Sequence, residues 1–341
     1  MNGLVLALAS AALFGTATPA SKLLLQSLDP VQLAGLLYAG AAIGVAPWSF
    51  GRRRRRRPLD ARNAARLAGA VLFGGIAGPV LFLLGLRHAA AGSASLLLNA
   101  EVAMTAVLGV WWFGEALGVR GWIGVALILT AGVVLAGYGG WPSTIAATCI
   151  AAACVCWALD NNLTATIDGV TPSETTFWKA AIAGTTNLVL GIALQPFDAT
   201  WRTVVVALAV GALSYGASIA LYIAAAQQQG AIRAQSVFAA APFVGAILSW
   251  LVLREPIATT QLLAGALFLA AVGLLALDRH SHVHRHDATA HVHQHRHDDG
   301  HHDHQHASDV GVVWHSHWHE HAEAEHTHPH VADLHHRHGG R

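Results

Sequence analysis

Long apolar stretches alternate with short polar turns along the chain as far as about Leu277. Each stretch has about 20 residues, the length that an α-helix needs to cross the hydrocarbon core of a bilayer. Transmembrane β-strands are shorter and alternate polar with apolar residues, so the pattern predicts helices. The predicted spans are residues 3–25, 31–50, 67–86, 93–113, 119–138, 143–163, 173–194, 203–226, 232–253 and 259–277.

The composition indicates that lipid surrounds these helices. Hydrophobic residues make up 54% of the 341 residues, and charged residues make up only 11%. A soluble domain of this composition would expose large apolar patches to water. The predicted fold class is therefore an all-α integral membrane protein with ten transmembrane helices.

The chain repeats after about 140 residues, which divides the predicted helices into two sets of five. Glu115 then matches Glu255 at the end of a span. Because five is odd, the second set enters the membrane in the opposite sense, as in transporters with inverted repeats and a central site. A helix-packing repeat in a receptor or membrane enzyme is the alternative, but no acid, base and nucleophile converge in the short loops, so we expect no enzyme. The predicted units are residues 1–140, 141–279 and a disordered tail at 280–341.

Three stretches of the chain carry motifs of a known type. Residues Gly92 to Gly137 read GSASLLLNAEVAMTAVLGVWWFGEALGVRGWIGVALILTAGVVLAG, and Gly230 to Gly273 read GAIRAQSVFAAAPFVGAILSWLVLREPIATTQLLAGALFLAAVG. With the opening ALFGTATPASKLLLQSLDPVQLAGLLYAGAAIG, they resemble the EamA-type members of the drug/metabolite transporter superfamily. Val102 departs from the pattern, since the family commonly has proline there and the second half keeps Pro242. The resemblance implies a ten-helix transporter of amino acids, metabolites, nucleotide sugars or drugs.

Glu101 is the clearest ionisable residue inside a predicted span, and Asn99 lies close to it. A charge at mid-membrane costs at least a few kcal/mol, so such a residue needs a function or a partner. Removal from water favours the neutral form of a carboxyl group, which suits a carrier that loads and unloads a proton. We predict that Glu101 binds a proton or a cationic group of the solute. A structural glutamate satisfied by a neighbouring helix is the alternative.

Four further polar residues are candidates for binding a solute or coupling its transport. Lys22 lies near the outer end of the first span, where it either reaches the membrane interface or pairs with Glu101 or an anionic solute. Lys179 lies about two turns into the seventh span, where a partner or solute contact is expected. Asp160 and Asn161 lie near the inner end of the sixth span and either cap the helix or contact the solute.

All histidines except His88 follow Arg279, in a tail with almost no apolar run, which predicts disorder. The repeated His-x-His spacing lets neighbouring imidazoles chelate one ion, and neutral imidazole suits Zn, Ni, Cu or Co. The alternative is a soluble tail that gains charge as the pH falls through about 6.5. The candidate metal ligands are His280, His282, His284, His286, His291, His293, His295, His297, His315, His317, His319, His321, His326, His328 and His330.

These features predict an exporter of a small organic solute, with no required cofactor and with a tail that binds transition-metal ions. The predicted partners are the solute, the lipid bilayer and those ions, and no nucleic acid. The alternative is a Zn, Ni or Co exporter whose tail collects the cargo. A metal path needs clustered ligands inside the spans, whereas His88 is the one histidine there and Glu101 the one deep carboxylate expected. The sequence therefore favours the organic solute.

The arginine run at residues 52–57 sets the expected orientation in the plasma (inner) membrane. Positively charged loops stay in the cytoplasm, so both termini are expected there.

Reporter fusions in this loop and in the tail should both give cytoplasmic signals. A periplasmic signal at either position would contradict the ten-span topology.

Overall fold

The computed structural model describes residues 2–50, 60–113, 117–137, 144–167, 170–277, 280–286, 289–295, 315–321 and 324–330. The loop of arginines at 52–57 and the candidate ligand His297 lie outside these residues. Within them, eight helices are long and apolar enough to cross a membrane: Gly3–Leu24, Pro30–Phe50, Ala61–Arg87, Ala91–Trp112, Ile145–Ala165, Pro172–Leu194, Trp201–Gln229 and Arg233–Val252.

Two further helices complete the set of ten membrane helices that the sequence predicts. They are Val119–Gly137 and Thr259–Leu277, each with a shorter apolar stretch. In chain order the ten helices are spans 1 to 10, so these two are spans 5 and 10. The predicted all-α membrane fold is thereby confirmed.

Polar side chains mark where several spans begin. Asp60 accepts a hydrogen bond from the backbone N–H of Asn63 at 2.7 Å, so span 3 starts at Ala61, before its apolar part. Thr171 and Glu174 form a reciprocal capping box at the start of span 7, where Pro172 takes the first helical position. Such caps lie outside the apolar pattern, which is why hydropathy places the start of span 3 too late.

The two halves share internal irregularities as well as helix order. Spans 3 and 8 each contain a π-helical segment, at Ala70–Ala77 and Gly211–Ala217. Spans 4 and 9 are each broken in the middle, the first between Leu97 and Ala100 and the second at Ala239. Five spans per half place the second half in the opposite sense, which gives two inverted repeats.

Small residues bring the two halves into close contact. Span 2 packs against span 7 and span 5 against span 10, so that corresponding helices meet across the repeat. A Cβ atom on Gly35 would overlap Leu188, and one on Gly184 would overlap the backbone of Ala39. Spans 2 and 7 therefore approach at backbone distance, as small residues allow in membrane helices.

The outer surface of the bundle is apolar and carries tryptophans near the helix ends. Trp48, Trp111 and Trp112 are exposed at the ends of spans 2 and 4, and Trp201 is exposed at the start of span 8. Tryptophan concentrates at both membrane–water interfaces. The exposed positions therefore fit interfacial belts at the two faces of one bilayer.

The described segments of the tail are extended. The strands are β1 His280–His286, β2 Thr289–His295, β3 His315–His321 and β4 Ala324–His330. Strand β1 pairs antiparallel with β4, and β2 pairs antiparallel with β3, which nests one ladder inside the other along the chain. The alternation of histidine with other residues has a period of two, and that is also the period of a strand.

Candidate functional site

A cavity lies between the broken and π-helical segments of the bundle. The space between its walls is about 450 Å³, including its open mouth. Its walls combine charged, amide and aromatic side chains from both halves of the chain. The lining residues are Phe14, Tyr38, Glu101, Trp157, Asp160, Asn161, Thr164, Lys179, Tyr215, Ile219, Tyr222, Ile223 and Phe238.

Glu101 lies directly after the break in span 4 and is buried in this cavity. Its Oε1 atom accepts hydrogen bonds from Nδ2 of Asn161 at 2.7 Å and from Nε2 of Gln235 at 3.0 Å. The amide of Asn161 also lies 3.3 Å from Oγ1 of Thr105. One carboxylate oxygen therefore joins spans 4, 6 and 9. Glu101 and Asn161 are both candidate residues from the sequence, and their side chains are in direct contact in the structure.

Asp160 and Lys179 form an ion pair inside the bundle. Nζ of Lys179 lies 2.6 Å from Oδ2 of Asp160, and their side chains are 1% and 8% exposed. The pair is possible because Gly74 of span 3 has no side chain, and a Cβ there would overlap the Asp160 carboxylate. Asp160 is thus a second deep carboxylate beside Glu101. Its side chain binds Lys179 of span 7 and lines the cavity.

The π-helical segment of span 3 supplies backbone acceptors next to the ion pair. The carbonyl of Gly74 accepts hydrogen bonds from Oη of Tyr38 and from Nε1 of Trp157. The carbonyl of Gly75 accepts one from Nδ2 of Asn187 at 3.1 Å. A π-helical turn interrupts the regular pattern of α-helical hydrogen bonds, and such turns are frequent at functional sites. Here the side chains of spans 2, 6 and 7 converge on it.

Aromatic rings form the apolar wall of the cavity. The ring of Phe14 packs against Trp157, Tyr215 and Phe238, with centroids 6.3, 5.5 and 5.2 Å away. Tyr222 packs against Phe238 at 5.1 Å. Offset and edge-to-face contacts of this kind hold rings in fixed positions. The wall therefore presents rigid apolar surface facing the charged residues.

Two of the six candidate polar residues lie apart from the cavity. Nδ2 of Asn99 donates to the carbonyl of Leu96 at 3.0 Å, which satisfies the backbone at the break in span 4. Nζ of Lys22 donates to the carbonyls of Leu86 and Ala89, at 2.8 and 2.7 Å. Lys22 thus ties span 1 to the end of span 3 and makes no contact with Glu101.

A carboxylate tether adds to this end of the bundle. The two oxygens of Glu255 accept hydrogen bonds from the backbone N–H groups of Ala91 and Gly92, each at 2.8 Å. This matches the loop role that a glutamate at the end of a span suggests. Its repeat counterpart, Glu115, lies outside the described residues.

Several residues that line the cavity or contact its lining were not among the candidates from the sequence. Gln235 contacts Glu101 only because spans 4 and 9 meet. Tyr38 and Trp157 each donate one hydrogen bond, from the hydroxyl and the indole N–H, to the carbonyl of Gly74. Tyrosine and tryptophan inside apolar spans could have indicated these two residues. When such side chains are buried, the tyrosine hydroxyl and the tryptophan N–H usually have a hydrogen-bond partner. Gly74 contributes by having no side chain, which makes room for Asp160.

Metal ligands are sparse among the side chains that the structure describes. No group of three or more His, Cys, Asp or Glu residues there lies close enough to hold an ion. The cavity lining includes two carboxylates and neither histidine nor cysteine. The lining therefore lacks the nitrogen and sulfur ligands of histidine and cysteine that transition-metal ions prefer.

Comparisons with known proteins agree with the two-repeat bundle. Residues 1–137 and 144–277 match the model of the EamA-like transporter family. An uncharacterized transporter of Methanothermobacter thermautotrophicus is 29% identical over an alignment of 293 residues that covers 77% of this chain and 82% of the relative. A protein of known crystal structure has the same fold, with a TM-score of 0.65 at 16% identity, over 81% of this chain and 98% of that one.

Removing one member of the buried ion pair should destabilise the bundle. Lys179→Met leaves the Asp160 carboxylate without its cation, and we expect a loss of roughly 3 kcal/mol in unfolding free energy. Asp160→Asn combined with Lys179→Met removes both charges and should recover most of that loss. Thermal unfolding of the purified protein in detergent measures both effects. Lys22→Met is the matched control and should cost less, and a double variant as unstable as Lys179→Met would contradict the pairing.

Proposed function

We propose that the chain, which belongs to the EamA-like transporter family, is a secondary carrier that exports a small organic solute. The observation that carries this proposal is the cavity at the meeting point of the two inverted repeats, with Glu101, Asp160 and Lys179 in its walls. Inverted repeats build such sites so that rocking of one half against the other exposes them to each side in turn. The solute binds there and leaves on the other side.

The solute is a small molecule with both apolar and charged parts. The rings of Phe14, Tyr222 and Phe238 offer apolar contact, and Glu101 offers a carboxylate for a cationic group. A cationic group held near aromatic rings gains further attraction from their π faces. Export of transition-metal ions is the weaker alternative, because the lining has no histidine or cysteine.

Glu101 couples transport to protons in this proposal. The charge of Asp160 is balanced by Lys179, whereas Glu101 receives only neutral amide donors among the described contacts. A carboxylate inside the membrane is costly without a positive partner, and either a proton or a cationic solute group can supply one. Competition of the two for a single carboxyl group links solute movement to proton movement in the opposite direction.

The carrier is a multi-pass protein of the plasma (inner) membrane with both termini in the cytoplasm. The arginine-rich loop between spans 2 and 3 supports this orientation. The histidine-rich tail then lies in the cytoplasm, where it binds Zn, Ni, Cu or Co and buffers or regulates. No cofactor is required for transport.

Glu101→Gln should abolish transport that depends on a pH gradient, because the amide keeps the shape of the carboxyl group and cannot ionise. Proteoliposomes loaded with pooled amino acids and amines are placed in a pH gradient, and loss of each compound is followed by mass spectrometry. The natural chain should release at least one compound in a gradient-dependent manner. The variant should lose that dependence, with a drop of about tenfold or more.

Glu174→Gln is the matched control, since it makes the same chemical change outside the cavity. Glutamine also supports the capping box at the start of span 7, so this variant should transport normally. Gradient-dependent release that persists unchanged in Glu101→Gln would give Glu101 a structural role only. Release of no organic compound, together with metal transport by the same vesicles, would contradict the proposed substrate class.

A further inference from the structure

The charges on the cavity wall determine which charge a bound solute can carry. Among the lining residues that the structure describes, Glu101 and Asp160 are acids and Lys179 is the only base. Two carboxylates against one lysine leave one negative charge when all three groups are ionised. When Glu101 takes up a proton, the wall is neutral. The described wall has no net positive charge in either state, so nothing in its charge balance attracts an anion.

Lys179 is not available to a solute because Asp160 already binds it. Nζ of Lys179 lies 2.6 Å from Oδ2 of Asp160, and the lysine side chain is only 1% exposed. A solute carboxylate would have to displace Asp160, whose own carboxylate would then be buried without a cation. Loss of one partner from a buried ion pair is strongly unfavourable. The base of the described wall is therefore occupied.

Glu101 keeps one carboxylate oxygen for a solute. The amide groups of Asn161 and Gln235 both donate to its Oε1 atom. The other oxygen, Oε2, accepts no hydrogen bond from the side chains that the structure describes. An ammonium group supplies a positive charge and several N–H donors, and hydrogen bonds between oppositely charged groups are the strong ones. Oε2 therefore offers an acceptor that fits a cationic amine.

The neutral donors of the wall do not compensate the charge of a solute carboxylate. The side chains of Tyr38 and Trp157 donate to a backbone carbonyl of span 3, and Oγ1 of Thr164 donates to one of span 6. The two remaining hydroxyl groups of the described lining, on Tyr215 and Tyr222, carry no charge. A carboxylate that enters such a site loses its hydration and gains no cation in return. The wall therefore favours solutes without a carboxylate.

Aromatic rings give the rest of the solute an apolar surface. Phe238 packs against Phe14 and Tyr222, with 5.2 and 5.1 Å between the ring centroids. Aromatic side chains bind other rings by offset or edge-to-face contact, and their faces attract cations. Glu101 and these rings line the same cavity. Together they match an ammonium group carried on an aromatic or other apolar frame.

We propose that the solute is an organic amine without a carboxylate, of the arylalkylamine type, and that the site rejects the amino acid with the same side chain. This inference rests on the proposed function and narrows its substrate class. The ammonium group binds Oε2 of Glu101 as the proton leaves that carboxyl group, and the apolar part packs against the rings. Asp160 is a positioning residue, because it holds Lys179 away from the solute.

Pairs of an amine and the amino acid that differs from it only by a carboxylate test this inference. Suitable pairs are phenethylamine with phenylalanine, tryptamine with tryptophan, and isoamylamine with leucine. Binding to the purified full-length protein in detergent is measured by isothermal titration calorimetry at neutral pH, and release from proteoliposomes is compared with release from protein-free vesicles. At least one amine should bind, and its amino acid should bind more weakly by about tenfold or more.

Asp160→Asn gives a second test through the ratio of the two affinities. The amide leaves Lys179 free to pair with a solute carboxylate, so the preference for the amine should fall by about tenfold. A ratio of affinities does not depend on the amount of folded protein, which separates this effect from a loss of stability. Asp29→Asn makes the same chemical change outside the cavity and should keep the preference of the natural chain.

Equal or tighter binding of the amino acid in a pair would overturn the inference and leave the carrier intact. Binding of neither member of any pair would also overturn it, and the pooled release assay then decides separately whether the chain carries another organic solute. An unchanged preference in folded Asp160→Asn would contradict the role of the ion pair in excluding the carboxylate. The comparison on the natural chain stands whether or not this variant folds.

Discussion

The hydrocarbon core of a membrane solvates neither charges nor free backbone groups, and the buried ion pair of Asp160 and Lys179 meets that constraint inside the bundle. The pair requires a glycine at position 74, whose backbone carbonyl in turn accepts from Tyr38 and Trp157. The π-helical segment that exposes this carbonyl belongs to span 3. The close helix packing, the π-helical segment and the ion pair therefore all meet at Gly74, and the cavity lies beside it.

The scaffold is symmetric, whereas the chemistry of the cavity is not. At the repeat spacing of about 140 residues, the counterparts of Glu101, Asp160 and Lys179 are Ala241, Ala20 and Ala39. All charged residues of the lining therefore come from spans 4, 6 and 7. In the proposed carrier, the symmetric frame opens to either side, and the one-sided charges give a bound solute a single orientation. Because the helical scaffold and the side chains of the binding site are separate features, one fold can carry sites for different solutes.

Hydropathy predicted the ten helices because lipid demands about 20 apolar residues per span whatever the function. Glu101 and Lys179 were also predictable as buried, since charges inside apolar runs are conspicuous. Their partners were not, because the contacts of Asp160 and Gln235 depend on which helices meet and how each is rotated. The π-helical segments have no strong sequence signal and result from packing.

Transport by the proposed carrier requires that this cavity be reached from both faces of the membrane. Ile219 lies in the cavity wall beside the π-helical segment of span 8, and Ile219→Cys introduces a thiol there. A membrane-impermeant maleimide is applied to right-side-out and to inside-out vesicles, with the natural chain as the control for labelling of Cys149 and Cys156. We expect the introduced cysteine to be labelled from either face. Labelling from one face alone, or from neither, would contradict it.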